Sequence, residues 1–245
     1  MQVALFVPCY VDQFYPRVAI ATLELLEKLG VEVFYPTGQT CCGQPMANAG
    51  FEHKTKETSE LFVKNFSKYD YIVSPSGSCV LHIKDHLTSK TAPDDARDIR
   101  NKTLELTEFL TDILKVNTLA AQFPHLVGLH QSCHGQRGLK LAQMSEIVGP
   151  AFSKSEYLLN MVSGLKLISL DRADECCGFG GTFCVTEEAV SVKMGVDRVR
   201  DHTSHGVEVI TGSDMSCLMH LEGILRRNNS NIWVLHIAEI LNAKG

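Results

Sequence analysis

Two adjacent cysteines followed by glycine occur twice in this chain, at Cys41-Cys42-Gly43 and again at Cys176-Cys177-Gly178. Each pair has one lone cysteine upstream and one downstream, at similar spacing. The first set of four is Cys9, Cys41, Cys42 and Cys79, and the second is Cys133, Cys176, Cys177 and Cys217. Of the nine cysteines, only Cys184 lies outside these sets. An internal repeat of this kind predicts two copies of one structural unit.

The sequences around the lone cysteines repeat as well. VALFVPC at 3–9 parallels VGLHQSC at 127–133, and SCVLH at 78–82 parallels SCLMH at 216–220. We therefore divide the chain into a first cysteine-rich repeat, residues 1–118, and a second, residues 119–245.

Short apolar runs typical of buried strands alternate with helical patterns in both halves. The predicted strands are 3–8, 31–35, 71–74, 126–131, 165–170, 207–211 and 232–235. The predicted helices are 16–30, 51–66, 102–115, 139–148, 151–162, 187–202 and 238–241, and the polar stretch 88–101 is the best linker candidate. This alternation predicts an α/β fold of two pseudo-symmetric repeats of βαβ units with mainly parallel sheets.

The cysteines follow the predicted strands. Cys9, the pair Cys41-Cys42 and Cys79 each come after the carboxyl end of a strand, and the second set repeats this placement. Ligands bind at that edge of open α/β sheets. Four sulfurs that are far apart in sequence are therefore expected to converge on one site in each half.

Composition and charge restrict the compartment and the partners. A net charge of −5 with no basic run gives no nucleic-acid footprint. The first residues lack the basic start of a signal peptide, and no apolar run approaches the ~18 residues of an integral membrane segment. We expect a cytoplasmic protein, in which reduced cysteines serve metal binding or catalysis rather than disulfides.

Four convergent thiolates suit an iron–sulfur cluster or tetrahedral zinc. The chain has no C-x-x-C pair of the kind that zinc ribbons and ferredoxins use. Adjacent side chains diverge and rarely bind one small ion together, whereas each can meet a different iron of a polymetallic core. The double cysteines therefore favour iron–sulfur, with zinc as the alternative.

Some nearby residues are candidate accessories to the metal sites. His82 and His220 each stand three residues after the last cysteine of a set, where they could bind metal or donate to a cluster sulfur. The alternative, which we prefer, is a hydrogen-bonded histidine on a helix face. Cys184 has no counterpart in the first half and is interpreted as a core or loop thiol.

The motifs TCCGQP at 40–45, ECCGFGGTF at 175–183, PSGSC at 75–79 and DMSCL at 214–218 resemble the cysteine-rich CCG-domain proteins. Over essentially its full length the chain is similar to the lactate utilization protein A family, and it resembles the CCG-domain component of heterodisulfide reductase. The wider CCG pattern ends in C-x-x-C, whereas Ser76 and Asp214 stand in the first cysteine slot here. That departure leaves either a four-cysteine cubane or a cluster completed by Ser76, Asp214 or substrate.

The resemblance implies an iron–sulfur electron-transfer subunit of a three-component system that oxidises L-lactate to pyruvate. It implies clusters of the [4Fe–4S] type, one per half and held by the eight cysteines of the two sets. The partners would be other iron–sulfur proteins, through which this chain would reach the membrane, and it would not be active alone. The alternatives are a cluster-based thiol/disulfide oxidoreductase and a zinc-stabilised scaffold subunit.

Overall fold

The computed structural model describes residues 1–244. Eight strands lie at β1 Gln2–Leu5, β2 Glu32–Phe34, β3 Tyr71–Ser74, β4 Thr103–Glu105, β5 Leu126–His130, β6 Lys166–Leu167, β7 Val209–Gly212 and β8 Trp233–His236. The first six helices are α1 Cys9–Phe14, α2 Pro16–Lys28, α3 Gln44–Asn48, α4 Lys56–Phe66, α5 Gly77–His86 and α6 Pro93–Lys102. The others are α7 Leu106–Glu108, α8 Lys154–Leu159, α9 Phe183–Thr186, α10 Glu188–Ser204, α11 Met215–Arg227 and α12 Ile237–Leu241.

The strands form two four-stranded sheets with the same order, β2-β1-β3-β4 in the first half and β6-β5-β7-β8 in the second. Every pairing within these two sheets is parallel. In the first sheet Ala4 lies opposite Ile72, and in the second Gly128 lies opposite Ile210. The predicted α/β fold of two repeated, parallel units is confirmed.

Helix α2 shows how the sequence specifies these elements. Pro16 occupies the first turn, where its missing N–H costs nothing. Val18, Leu25 and Leu26 recur at helical spacing and are buried against the sheet. Gly30 follows the helix with a φ of +80°, a left-handed conformation that glycine adopts without strain.

Three stretches differ from prediction. The expected linker at 88–101 contains helix α6, which buries Ala96 and Ile99, and the helix expected at 102–115 begins with the three-residue strand β4. The predicted helix at 139–148 is also wrong, since those residues form turns and an isolated antiparallel bridge from Ala142 to Ser153. The fourth strand of the first sheet was thus missed, and so were helices α5 and α11.

Candidate metal centre

The carboxyl edges of the two sheets carry the cysteines. Cys9 opens α1 directly after β1, and Cys79 lies in the first turn of α5 after β3. In the second half Cys133 follows β5, and Cys217 lies in the first turn of α11 after β7. The pairs Cys41-Cys42 and Cys176-Cys177 lie in loops that come after β2 and β6. The predicted placement of the cysteines at strand ends therefore agrees with their positions in the fold.

The four sulfurs of the first set form a chain of contacts. The Sγ atoms of Cys9 and Cys41 lie 3.7 Å apart, and those of Cys42 and Cys79 lie 3.4 Å apart. The two pairs are neighbours, because Cys41 and Cys42 are adjacent in the chain and each thiol shifts the pKa of the other. The backbone N–H of Gly43 donates to Cys41 Sγ at 3.4 Å. One edge of the first sheet thus gathers four sulfurs.

The second set repeats this arrangement in the same order. The thiols influence one another's pKa in the same order, Cys133 with Cys176, Cys176 with Cys177, and Cys177 with Cys217, so the four sulfurs of this set also lie close together. The N–H of Gly178 donates to Cys176 Sγ at 3.4 Å, as Gly43 does in the first half. All nine cysteines of the chain are free thiols.

One sulfur in each set is predisposed to be the thiolate. The pKa of Cys41 is lowered to about 2, first because the Cys42 thiol donates to it and then because Cys9 does. The pKa of Cys176 is lowered to about 2 by the corresponding hydrogen bonds from Cys133 and Cys177. The same contacts raise the pKa values of the donating thiols. Thiolates are the species that bind metals.

The glycine after each cysteine pair has a left-handed backbone. The φ angle is +93° at Gly43 and +88° at Gly178. A Cβ at Gly178 would lie 2.7 Å from the Ser191 carbonyl oxygen and 2.7 Å from Met194 Cβ. The glycine therefore allows the cysteine loop to turn back and to pack closely against α10.

Both sets open on one cleft between the two halves. Its lining includes Cys9, Cys42 and Cys79 from the first set and all four cysteines of the second. The cleft and the open solvent at its mouth together occupy about 780 Å³. The ring of Tyr10, from the first half, meets Phe179 of the second edge to face at 5.9 Å. The repeat thus brings the two sets to a common cavity.

Ser76 and Asp214, the residues in the vacant cysteine slots, meet at the boundary between the halves. Each caps the helix that follows it: Ser76 Oγ accepts from the Cys79 N–H, and Asp214 Oδ1 accepts from the Ser216 N–H. Asp214 Oδ2 also accepts from the N–H of Ser78 at 2.7 Å, across the boundary. The buried carboxylate therefore caps one helix in each half.

The other candidate residues lie near the cysteines in different settings. His82 packs beside Gly43 and stacks on His86, and burial lowers its pKa. A ring nitrogen of His220 is 3.3 Å from the Ser191 carbonyl oxygen, with which it shares a hydrogen bond. Cys184 Sγ donates to the Gly181 carbonyl at 3.0 Å. These contacts do not test the metal-binding roles considered for the histidines, which stay predictions.

A buried histidine that no sequence motif indicated lies beside the second set. A ring nitrogen of His130 and the Sγ atoms of Cys177 and Cys217 all lie within 4.8 Å of one another. Arg198, which is fully buried, donates from Nε to His130 Nδ1 at 3.3 Å. When the two repeats are aligned, His130 stands where the first half has Phe6. This replacement of an apolar residue by a histidine was a sequence signal for His130.

This donor set fits a soft metal centre. Each half presents four sulfurs, one of them predisposed to be a thiolate, and a backbone N–H that donates to sulfur. Within residues 1–244, no helix combines the length and the apolarity that a bilayer span needs.

Comparison with known proteins agrees with this arrangement. The sequence model of the family described as a cysteine-rich domain, CCG, matches residues 3–84 and 127–222. Proteins called "Lactate utilization protein A" are similar to the chain along its length. The one from Exiguobacterium sp. is 42% identical over 98% of this chain and 96% of its own, and that of Bacillus subtilis is 40% identical over the whole of both chains.

A solved structure shares the fold. A hypothetical protein from Helicobacter pylori superposes with a TM-score of 0.61 at 13% identity, over 98% of this chain and 48% of its own. The chain therefore spans about half of that protein. Because the CCG model matches both halves and the relatives match along the full length, the chain belongs to the lactate utilization protein A family of cysteine-rich CCG-domain proteins.

Proposed function

We propose that this protein is an iron–sulfur electron-transfer subunit of a lactate-utilization system. The observation that carries the proposal is the repeated set of four convergent sulfurs, present at the same sheet edge in both halves and open to one cleft. The names of the relatives connect them with lactate utilization.

Eight cysteines would hold the metal: Cys9, Cys41, Cys42 and Cys79 in the first half, and Cys133, Cys176, Cys177 and Cys217 in the second. A bound [4Fe–4S] cluster in each half would supply one-electron transfer. The protein supplies the rest of the site. The Gly43 and Gly178 amides donate to sulfur, and such bonds stabilise negative charge on the centre.

The opening of both sets on one cleft supports a role between partners. Electrons could enter at one set and leave at the other without crossing the interior of a sheet. Helix α3, which carries the exposed Met46, and the loop around Gly181 lie at the mouth and would face a partner protein. We propose that the partners are the other iron–sulfur proteins of a three-component system oxidising L-lactate to pyruvate.

One observation favours a zinc-stabilised scaffold as the second candidate. A tetrahedral ion with metal–sulfur bonds of about 2.3 Å places its sulfurs about 3.8 Å apart. The measured Sγ–Sγ distances of 3.7 Å and 3.4 Å are close to that value. The adjacent cysteines of each pair are the argument for a polymetallic centre instead.

Anaerobic purification followed by analysis of iron, acid-labile sulfide and zinc decides between these candidates. We expect iron and sulfide in similar amounts and a visible charge-transfer absorbance. Stoichiometric zinc without sulfide would replace the proposal by the scaffold.

Two variants test whether the sets bind metal separately. Cys42→Ser should remove about half of the iron and leave the second centre loaded. Cys184→Ser is the matched control and should keep the full content, because its thiol is bonded to the Gly181 carbonyl. Loss of all iron in Cys42→Ser would contradict two separate centres.

Lactate oxidation tests the place of the chain in its system. The loaded chain alone should not reduce an artificial acceptor with L-lactate, and it should do so when its partner subunits are added. A full rate from the isolated chain would place the lactate site here. Turnover of a disulfide substrate by the isolated chain would favour the thiol/disulfide oxidoreductase.

A further inference from the structure

The two metal-binding edges differ at one buried position. His130 ends β5 and is 1% exposed, beside the sulfurs of Cys177 and Cys217. Its counterpart, directly after β1, is Phe6, whose side chain packs edge to face on Phe62 and has no polar atom. Only the second set therefore has an imidazole beside it at this position.

The orientation of the His130 ring is fixed by Arg198. Nε of Arg198 donates to His130 Nδ1 at 3.3 Å. The rest of the guanidinium is held in place, because its Nη1 donates to the Arg172 carbonyl at 2.6 Å and to Asp201 Oδ2 at 2.9 Å. Side-chain exposures of 0% for Arg198 and 2% for Asp201 show that solvent does not compete for these bonds.

This contact determines the tautomer of His130. A guanidinium is a donor only, so Nδ1 must offer its lone pair, and the ring proton then resides on Nε2. No hydrogen-bond partner for Nε2 lies among residues 1–244, and the atom is buried. A histidine that binds metal through Nε2 needs Nδ1–H directed at an acceptor, which is the opposite arrangement. His130 is therefore arranged to donate a hydrogen bond through Nε2–H and not to bind a metal ion through that atom.

We propose that His130 Nε2–H donates a hydrogen bond to a sulfur of the centre held by the second set, and so raises its reduction potential above that of the first centre. This inference rests on the proposed iron–sulfur function. Reduction adds negative charge to the centre, and a donor aimed at sulfur stabilises that charge. Phe6 offers no such bond. The electron would therefore reside preferentially on the second centre, although the cysteine sets are alike.

The tautomer can be tested independently of the reduction potentials. Long-range ¹⁵N–¹H NMR of the full-length chain, with the His130 signals assigned by their loss in His130→Phe, should show the Nε2–H form. The Nδ1–H form would overturn the proposal.

Redox titration followed by EPR tests the effect on the centre. In His130→Phe one of the two potentials should fall, by a tenfold change in the reduction equilibrium, or about 59 mV for one electron. His130→Gln, which keeps an N–H donor, should recover part of the shift. His202→Leu is the matched control, since His202 is also buried in the second half but packs against Gly128, and it should leave both potentials unchanged.

Three results would contradict the inference. Unchanged potentials in His130→Phe, with both clusters loaded, would refute this inference and leave the proposed iron–sulfur function standing. Strong ¹⁵N-histidine hyperfine coupling in the reduced protein that disappears in His130→Phe would mean that His130 binds iron directly. Absence of clusters from the wild-type chain would overturn the proposed function together with this inference.

Discussion

Replacing Asp214 with alanine should destabilise both halves of the molecule at once. The carboxylate is 2% exposed. Its Oδ1 accepts from the N–H of Ser216 at 3.1 Å and from the hydroxyl of Ser216 at 2.6 Å. Its Oδ2 accepts from the Ser78 N–H at 2.7 Å, so one side chain caps α11 and, across the boundary, α5. Loss of this carboxylate therefore removes hydrogen bonds from the first turns of two helices.

The expected magnitude follows from these bonds. Loss of the N-cap of α11 costs about 1 kcal/mol. The buried Ser78 N–H of α5 would lose its acceptor, which adds about 1–3 kcal/mol. The free energy of unfolding should therefore fall by about 2–4 kcal/mol, equivalent to about 4–16 °C in Tm for a chain of this size. Asp214→Asn keeps one acceptor oxygen and should cost less. Ser76→Ala removes a single cap and should cost about 1 kcal/mol.

The assay is anaerobic thermal unfolding followed by circular dichroism, with iron per folded chain measured on the same samples. We expect Tm to fall least in Ser76→Ala, more in Asp214→Asn and most in Asp214→Ala, while the iron content stays constant. An unchanged Tm in Asp214→Ala would refute the double cap. Loss of iron with an unchanged Tm would identify Asp214 as an oxygen ligand of the second centre.

Three further changes test the packing and the buried charges. Gly178→Ala should destabilise by more than about 2 kcal/mol because of left-handed strain and close contacts with α10. Gly206→Ala measures the strain alone, because Gly206 has a φ of +70° and no atom of residues 1–244 within 4 Å of its added Cβ. Equal losses of unfolding free energy for the two variants in urea titrations would contradict this reasoning. Burial lowers the pKa of His202 to about 2, so its contribution to stability is present above pH 6.5 and is lost as the pH falls. In His202→Leu the loss of stability between about pH 6.5 and 5 should therefore be smaller than in the wild type by about 2 kcal/mol. Urea unfolding midpoints that fall equally over this pH range in both proteins would refute this. Burial raises the pKa of Glu105 to about 8, so stability should be lost as the pH rises from 4.5 through 8. Glu105→Gln should flatten this alkaline limb in the same assay, and a limb as steep as that of the wild type would contradict the raised pKa.

The sequence predicted the parts of the fold that local patterns determine. Strands β1 and β3 and helix α2 follow from periodicity and from proline and glycine positions. Helix α6 was missed because only Ala96 and Ile99 of its residues are buried, so its polar composition is typical of a linker. Its proline start, acidic first turn and basic last turn were signals for a helix. Strand β4 has three residues, too few for periodicity to distinguish from the helix that follows.

The site was predictable to the extent that it repeats. The cysteine spacing identified both sets, because parallel strands carry residues that are distant in sequence to one edge. The bond from Asp214 to Ser78 and the contact between Arg198 and His130 depend on how the elements approach one another. Arg198 and its partner Asp201 are buried in a helix whose other charged residues are exposed or half-buried, and this burial is a tertiary property. The metal-binding roles of the cysteines stay a prediction.

The two repeats also exchange helices, and this explains how their cysteine edges stay aligned. Helix α12, which follows the last strand of the second half, packs on α2 of the first half, with Arg17 bonded to Glu239 at 2.8 Å. Helix α7, which follows the last strand of the first half, packs on α8 of the second. One apolar core contains Val3 and Val127 alike. The division near residue 118 is therefore a boundary between sequence repeats that a shared core crosses, and as a domain boundary it stays a prediction. Since each half completes the other, the cleft between the two cysteine sets is fixed by the core rather than by a hinge.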